Sequence, residues 1–429
     1  LGEMEEYFFT TLTKGDTSRA IALVRNLSGR TLEGRVRLEV QNGRLEGPAE
    51  GAFRLEDQGQ HRFAVSLATD QPGALVVTAR VEGGGLKDGE QQRVPVFEPL
   101  VAASVSGALV MDGTPRALDI PAPPRAQGAA SVVFTPVGQL EQLLLPSLPY
   151  LIQYPYGCVE QTLSSFMPNV LVADLVKRRL APEIEWKRLT DLDRNIKDGV
   201  FRVYGYQLPN GGWGWWSPKD FGPESNPHTT GYALQSFATM KRLGYAVDEG
   251  VYRRGREAAL RLFEERARAA DEGSARAGED PAADAAFVLV SLARTGEPVQ
   301  GLLDSSLEKA LAGRWKGGHV LAFLAQAAAE SRHPRTAAAI AALEKAAVQK
   351  GGLAWWQGPP ETGSAYHGGN LVPTATALKA LALASPKSPL LASGEAFLAS
   401  RHQGWGWSST WATSQILELV PYLARTRSL

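Results

Sequence analysis

The 429-residue sequence predicts a multidomain chain: an all-β unit first, a short β-like and proline-rich passage next, then a long all-α unit closed as an α/α toroid. Three observations predict it. Period-2 alternation marks the first hundred or so residues, and helical spacing takes over after about residue 128. In that second part a Gly- and Trp-rich loop followed by an apolar helix occurs three times.

Residues 1–98 read as a β-sandwich. In RVRLEV (35–40) charged and apolar side chains alternate, as in a half-buried strand. YFFTTLT, RAIALVRN, HRFAVSLA and ALVVTARVEG are further strands, parted by the turn clusters QNG, EGPAEG, DQPG and EGGG. About seven short strands in about a hundred residues is a sandwich pattern. Residues 99–127 continue with β-like pieces and proline-rich chain, which reads as a few strands of another β unit and a linker.

From residue 128 to 429 the helices dominate. Thr230, Leu234 and Phe237 share a helix face, as do Ala285, Leu289 and Leu292, and Ile416, Val420 and Leu423. LPNGGWGWWSPKD, GGLAWWQGPPE and HQGWGWSST each precede an apolar helix. Such repeats bury a shared core, and closing them into a ring of helix pairs gives the toroid. The Arg- and Ala-rich stretch 265–284 reads as a solvated helix end and loop.

Forty-five basic residues balance forty-five acidic ones, against a nucleic-acid binder. No apolar run approaches the ~18 residues that span a bilayer. The acidic start, LGEMEEYFFTTLTKGD, lacks a signal-peptide pattern and enters a strand almost at once, so upstream domains are expected. The single cysteine, Cys158, excludes an internal disulfide.

Cys158 lies in QYPYGCVEQT, with Gln161 three positions on. Taken alone, CVEQ reads as an inert buried thiol. Cys and Gln at i and i+3 also meet on one helical turn, where a thiolate can attack the carboxamide and expel ammonia. Gly157 lets the backbone approach closely, a helix start lowers the thiol pKa, and Tyr154, Tyr156 and Phe166 are placed to screen the bond.

PYGCVEQ resembles the PYGCGEQ thioester motif of the α2-macroglobulin and complement thioester proteins, and YPYGCVEQTLSSFMPN is more similar still to bacterial α2-macroglobulins. NGGWGWWSPKD…HTTGYALQSFA and AWWQG…PTATALKALA resemble further family segments in order, and SSTWATSQILELVPYLA resembles the final helix of the family's thioester domain, so the likeness covers residues 128–429. It implies a macroglobulin-like domain at 1–98, the first part of a CUB-type domain at 99–127 and a thioester domain at 128–429.

The resemblance also implies a single-turnover covalent protease inhibitor, not an enzyme. Gln161 would be the acyl donor and Cys158 the leaving thiolate. Tyr154, Pro155, Tyr156, Gly157 and Glu160 would support the motif. Trp213, Trp215, Trp216, Trp405 and Trp407 are candidate shields of the bond, although a packed rim is the simpler reading of the loops. Target proteases are the implied partners, with no nucleic acid, cofactor or metal. The implied full-length protein is a monomeric periplasmic lipoprotein on the inner membrane, its lipid anchor upstream of Leu1.

Val159 stands where the family often has Gly, as bacterial members allow. Some complement relatives use a histidine roughly 115 residues beyond the cysteine to form an acyl-imidazole. That place falls near Gly273, with no histidine close by, so direct attack with a preference for amines is expected. His228 and His367 read as surface or loop residues. The alternatives are a toroid enzyme acting on carbohydrate or isoprenoid, with Asp220, Glu224 and Glu361 near the Trp loops, or a thioester-less binding scaffold.

Overall fold

Apolar side chains at every second position bury one face of a strand and leave the other in water. The computed structural model bears this out in strand β4, where Val36 and Leu38 are buried and Arg35, Arg37 and Glu39 are exposed. It describes residues 2–3, 11–98, 117, 131–132, 140–143, 147, 151, 157–177, 192–216, 224–276, 278–359 and 369–426. The chain divides into two units, Leu1–Ala103 and Ser104–Leu429. Of the stretch 99–127, expected to begin a CUB-type domain, all but residue 117 lies outside the described residues.

The first unit has strands β1 (Gly2–Glu3), β2 (Leu12–Thr13), β3 (Thr17–Arg25), β4 (Leu32–Gln41) and β5 (Arg44–Glu46), followed by β6 (Glu50–Leu55), β7 (Gln60–Ala68), β8 (Gly73–Gly83) and β9 (Leu86–Phe97). They form one sheet of order β1-β3-β7-β5 and one of order β2-β9-β8-β4-β6. Among the described residues all pairings in these sheets are antiparallel except β2 with β9. Ala20, Val24, Val65 and Leu67 of the first sheet share one buried cluster with Val36, Leu38, Val77 and Val94 of the second. Sequence reading missed β9, because LKDGEQQR opens it with a single apolar residue, Leu86, and no alternation.

The second unit, among its described residues, runs through α1 (Val159–Lys177), α2 (Leu192–Gly205), α3 (Pro227–Arg242), α4 (Glu249–Glu272), α5 (Pro281–Thr295) and α6 (Gln300–Leu311). It continues with α7 (Gly318–Glu330), α8 (Thr336–Lys345), the hairpin β10 (Val348–Lys350) and β11 (Leu353–Trp355), α9 (Leu371–Ala384), α10 (Leu390–Ser400), α11 (Thr410–Leu417) and α12 (Val420–Thr426). Each odd-numbered helix up to α11 packs on the next odd-numbered one, and α11 packs back on α1. The even-numbered helices α2 to α10 each pack on the odd helix before them. Burial follows this layout: α3 and α5 are buried almost all round, whereas α4 buries one face. A closed inner ring with an outer layer is consistent with the expected α/α toroid.

Capping residues set where the inner helices begin. The Asn226, Asp280 and Ser409 side chains accept backbone N–H bonds at the starts of α3, α5 and α11. The third predicted helix face is broken: Ile416 belongs to α11, while Val420 and Leu423 belong to α12.

The Trp-rich loops repeat one set of bonds. Trp213, Trp356 and Trp407 are fully buried, and their Nε1 groups donate to the carbonyls of Val203, Leu343 and Leu398 on the preceding outer helix, each at 2.7 Å. Their backbone N–H groups donate to Thr230, Thr374 and Thr413 on the following inner helix at 2.9, 3.2 and 2.9 Å. Each tryptophan therefore pins an outer helix to the next inner one and satisfies its buried indole N–H.

A charged network links the inner helices. Arg294 of α5 pairs with Glu330 of α7 at 3.1 Å and with Glu418 at the end of α11 at 2.6 Å. Lys379 of α9 pairs with Glu418 at 2.6 Å and donates to Gln415 at 3.0 Å. Tyr422 of α12 donates to Glu330, and Arg294 donates to Gln235 of α3 at 3.2 Å. Two cations and two anions thus tie five inner helices in a water-poor core.

A further carboxyl, partly buried, lies in the first turn of α5. Burial pushes Asp284 up to about 7, and Asp280 and Glu279 add to the rise against Arg266 at 4.0 Å. With the folded pKa above its ordinary value of 3.8, the stability this group contributes is complete below that value and lost as pH rises through about 7. Asp284→Asn is therefore expected to be more stable than the parent at pH 8 by on the order of 1–2 kcal/mol. The gain should vanish below about pH 4; urea unfolding at the two pH values checks it.

Candidate functional site

Cys158 sits one residue before α1, at the N-cap. Its backbone N–H donates to Gln161 Oε1 at 3.1 Å. The backbone N–H groups of Gln161 and Glu160 at this helix start favour the Cys158 thiolate. Cys158 and Gln161 stand at the cap and third positions of a capping box, and the third side chain returns to the cap N–H. The box brings a thiol and a carboxamide to one helix end. It also places an N–H donor on the carboxamide oxygen, where negative charge would develop under nucleophilic attack.

Gly157 makes room for the returning side chain. A Cβ there would lie 2.4 Å from Gln161 Oε1 and 2.6 Å from Gln161 Cβ. Thr162 donates from both its N–H and its hydroxyl to the Cys158 carbonyl, at 3.0 and 3.1 Å. Val159 N–H donates to the Trp215 carbonyl at 2.9 Å, which fixes the helix start to the first Trp loop.

Several expected roles change. Burial pushes the Cys158 thiol up, and the Glu160 charge adds to the rise; together they outweigh the helix-start N–H groups expected to lower it. Phe166 packs in the α1–α2 seam, where a Cβ at Gly199 would lie 2.3 Å from its Cβ, and not over the motif. Trp213 and Trp407 are pins between helices. Trp216 and Trp405 are 49% and 41% exposed. Trp215 is the tryptophan tied to the motif. Tyr154, Pro155 and Tyr156 lie outside the described residues.

Sequence reading missed what surrounds the motif. His228 is no surface residue: it stacks on Trp215 at 5.6 Å and on Phe287 at 5.4 Å, with Trp411 edge-on at 4.5 Å. Burial lowers it to about 3, so it is neutral. Ser164, Tyr232, Thr410 and Ser414 also gather behind the first turn of α1, and no local pattern marks them. Of the carboxylates considered for a carbohydrate enzyme, Glu224 is exposed, and Asp220 and Glu361 lie outside the described residues. His367 lies outside them too. Among the described residues no three His, Cys, Asp or Glu side chains group as a metal site, and no helix is long and apolar enough to cross a membrane.

Fold and site together define a helical ring, preceded in the chain by a two-sheet β unit, with a capped Cys–Gln pair on the ring's first helix. Residues 130–380 match the A-macroglobulin TED domain, more than half of the chain, and the chain belongs to that family. An alpha-2-macroglobulin of Thermotoga maritima is 31% identical over 250 residues, 57% of this chain and 15% of the relative. One of Escherichia coli K12 is 29% identical over 143 residues, 31% of this chain and 8% of the relative. The chain thus spans a small part of these curated relatives. Among solved structures, Salmonella alpha-2-macroglobulin reacted with methylamine aligns over 100% of this chain and 27% of its own, with TM-score 0.53 and 20% identity. Native Escherichia coli alpha-2-macroglobulin from domain MG7 to the C-terminus aligns over 99% and 65%, with TM-score 0.50 and 20% identity. These structures share the fold.

Proposed function

We propose that Cys158 and Gln161 form an internal thioester, and that this thioester couples a longer alpha-2-macroglobulin-like protein covalently to an attacking protease. The observation that carries the reading is the bond from Cys158 N–H to Gln161 Oε1, which ties the carboxamide to the cysteine residue. Family membership supports it.

The chemistry follows from the pair. The Cys158 sulfur attacks Gln161 Cδ, a C–S bond forms, the C–N bond breaks, and the nitrogen leaves with the thiol proton as ammonia. A lysine amine of the protease then attacks the acyl carbon. An amide forms at residue 161, the C–S bond breaks, and Cys158 regains a proton as a thiol. In both steps Cys158 N–H stabilises the oxyanion at Oε1. Each chain reacts once, so the protein is an inhibitor and not a turnover enzyme. Attack is direct and favours amines, because no histidine lies near Gly273 in the sequence and His228 is enclosed by Trp215, Phe287 and Trp411.

In this reading residues 1–98 are a macroglobulin-like sandwich and 99–127 open a CUB-type domain. The longer protein works as a monomer in the periplasm, held by an upstream lipid anchor. The methylamine-reacted Salmonella relative suggests the probe. After incubation with a fluorescent primary amine, tandem mass spectrometry is expected to find the label on residue 161 alone, with one thiol released at Cys158 per label. Labelling elsewhere, or label without thiol release, contradicts the reading.

A further inference from the structure

Glu160 lies between the two members of the acyl pair, and its side chain turns into the protein, 8% exposed. Ser164, one helical turn on, donates to its Oε1 at 2.6 Å. The hydroxyl of Thr410, the first residue of α11, shares its one proton between both carboxyl oxygens at 3.2 and 3.3 Å. Behind Ser164 stands Tyr232 of α3 at 3.3 Å, and behind Tyr232 stands Ser414 of α11 at 2.6 Å. A hydroxyl has one proton to give. Ser164 gives its proton to Glu160 and therefore accepts from Tyr232, which in turn accepts from Ser414. Three donors in series end on the Glu160 carboxyl and join α1, α3 and α11. Such series strengthen when complete.

The turn so held is the one that matters for the pair. The Gln161 side chain of this turn accepts from Cys158 N–H at 3.1 Å, and the N–H groups of the same turn favour the thiolate. Burial pushes the Glu160 carboxyl up from its ordinary value, while Ser164 and Thr410 hold it down.

We propose that Glu160 is a positioning residue for the Cys158–Gln161 pair: its carboxyl locks the first turn of α1 against α11, so that carboxamide and sulfur stay in register. It acts through the backbone of its turn. The proposal rests on the thioester reading above.

The test measures how fast the freshly folded chain loses ammonia, by intact mass, beside its melting temperature. Thr410→Val removes the donor on α11 without touching the motif and is expected to slow the loss about tenfold, as a small misplacement of reacting groups does. Glu160→Gln keeps an acceptor oxygen and is expected to stay within about threefold of the parent. Ser409→Ala removes the N-cap of α11, where Ser409 Oγ accepts from Ala412 N–H at 3.1 Å. It is expected to lower the melting temperature while leaving the rate at the parental value. If Thr410→Val does not fold, Ser164→Ala takes its place with the same expectation. A parental rate in Thr410→Val, or equal slowing in Ser409→Ala, overturns the positioning role while the thioester stands. No ammonia loss in the parent overturns the thioester and this proposal together.

Discussion

Gly157→Ala is expected to slow ammonia loss about a hundredfold while the chain still folds. The new methyl would sit 2.4 Å from Gln161 Oε1 and 2.6 Å from Gln161 Cβ. Rotating the carboxamide away relieves the first clash but breaks the bond to Cys158 N–H, and the second clash remains, because Cβ is fixed to the backbone. Capping box and methyl are therefore incompatible. Gly157 is only half-buried at a helix start, so the fold does not depend on it. Intact mass followed over time, with circular dichroism as the folding control, measures the effect. A parental rate would show that the capping-box geometry is not the reactive one.

Glu418→Ala is expected to destabilise the helical unit by about 3–5 kcal/mol, the scale of a buried ion pair that loses one partner. Among the described residues, its removal leaves Lys379 with no carboxylate partner and Arg294 with Glu330 alone. Burial pushes the Glu418 carboxyl up, but Arg294 and Lys379 more than offset this and hold it at about 2. Its contribution is therefore present above its ordinary value of 4.5 and lost as pH falls toward about 2. Urea unfolding at neutral pH gives the difference. A change below about 0.5 kcal/mol would mean that water or a repacked neighbour neutralises the two cations.

The layout of the chain was legible because it rests on local periodicity. Val36 and Leu38 announce β4, and Thr230, Leu234 and Phe237 announce α3. The pair Cys158–Gln161 was legible for the same reason, since a box of i to i+3 bonds is local. What remained hidden depends on chain closure. Thr410 meets Glu160 across 250 positions of sequence, and Glu418 meets Arg294 across 124. Nothing in the local pattern of either residue points to its partner. His228 was misread because a histidine in a polar-looking stretch, SNPHTTGY, gives no sign of the aromatic box that encloses it. The tryptophans were noticed as a repeat, but their pinning role appears only once an outer-helix carbonyl stands 2.7 Å from each of three indoles.

The most direct measurement is the intact mass of the purified, untreated chain, repeated after methylamine. The account predicts a mass one ammonia below the sequence value, then a gain of one whole methylamine with one new thiol at Cys158, and none of this in Cys158→Ala. A mass equal to the sequence value, with Cys158 titrating freely from the start and no methylamine taken up, would contradict it.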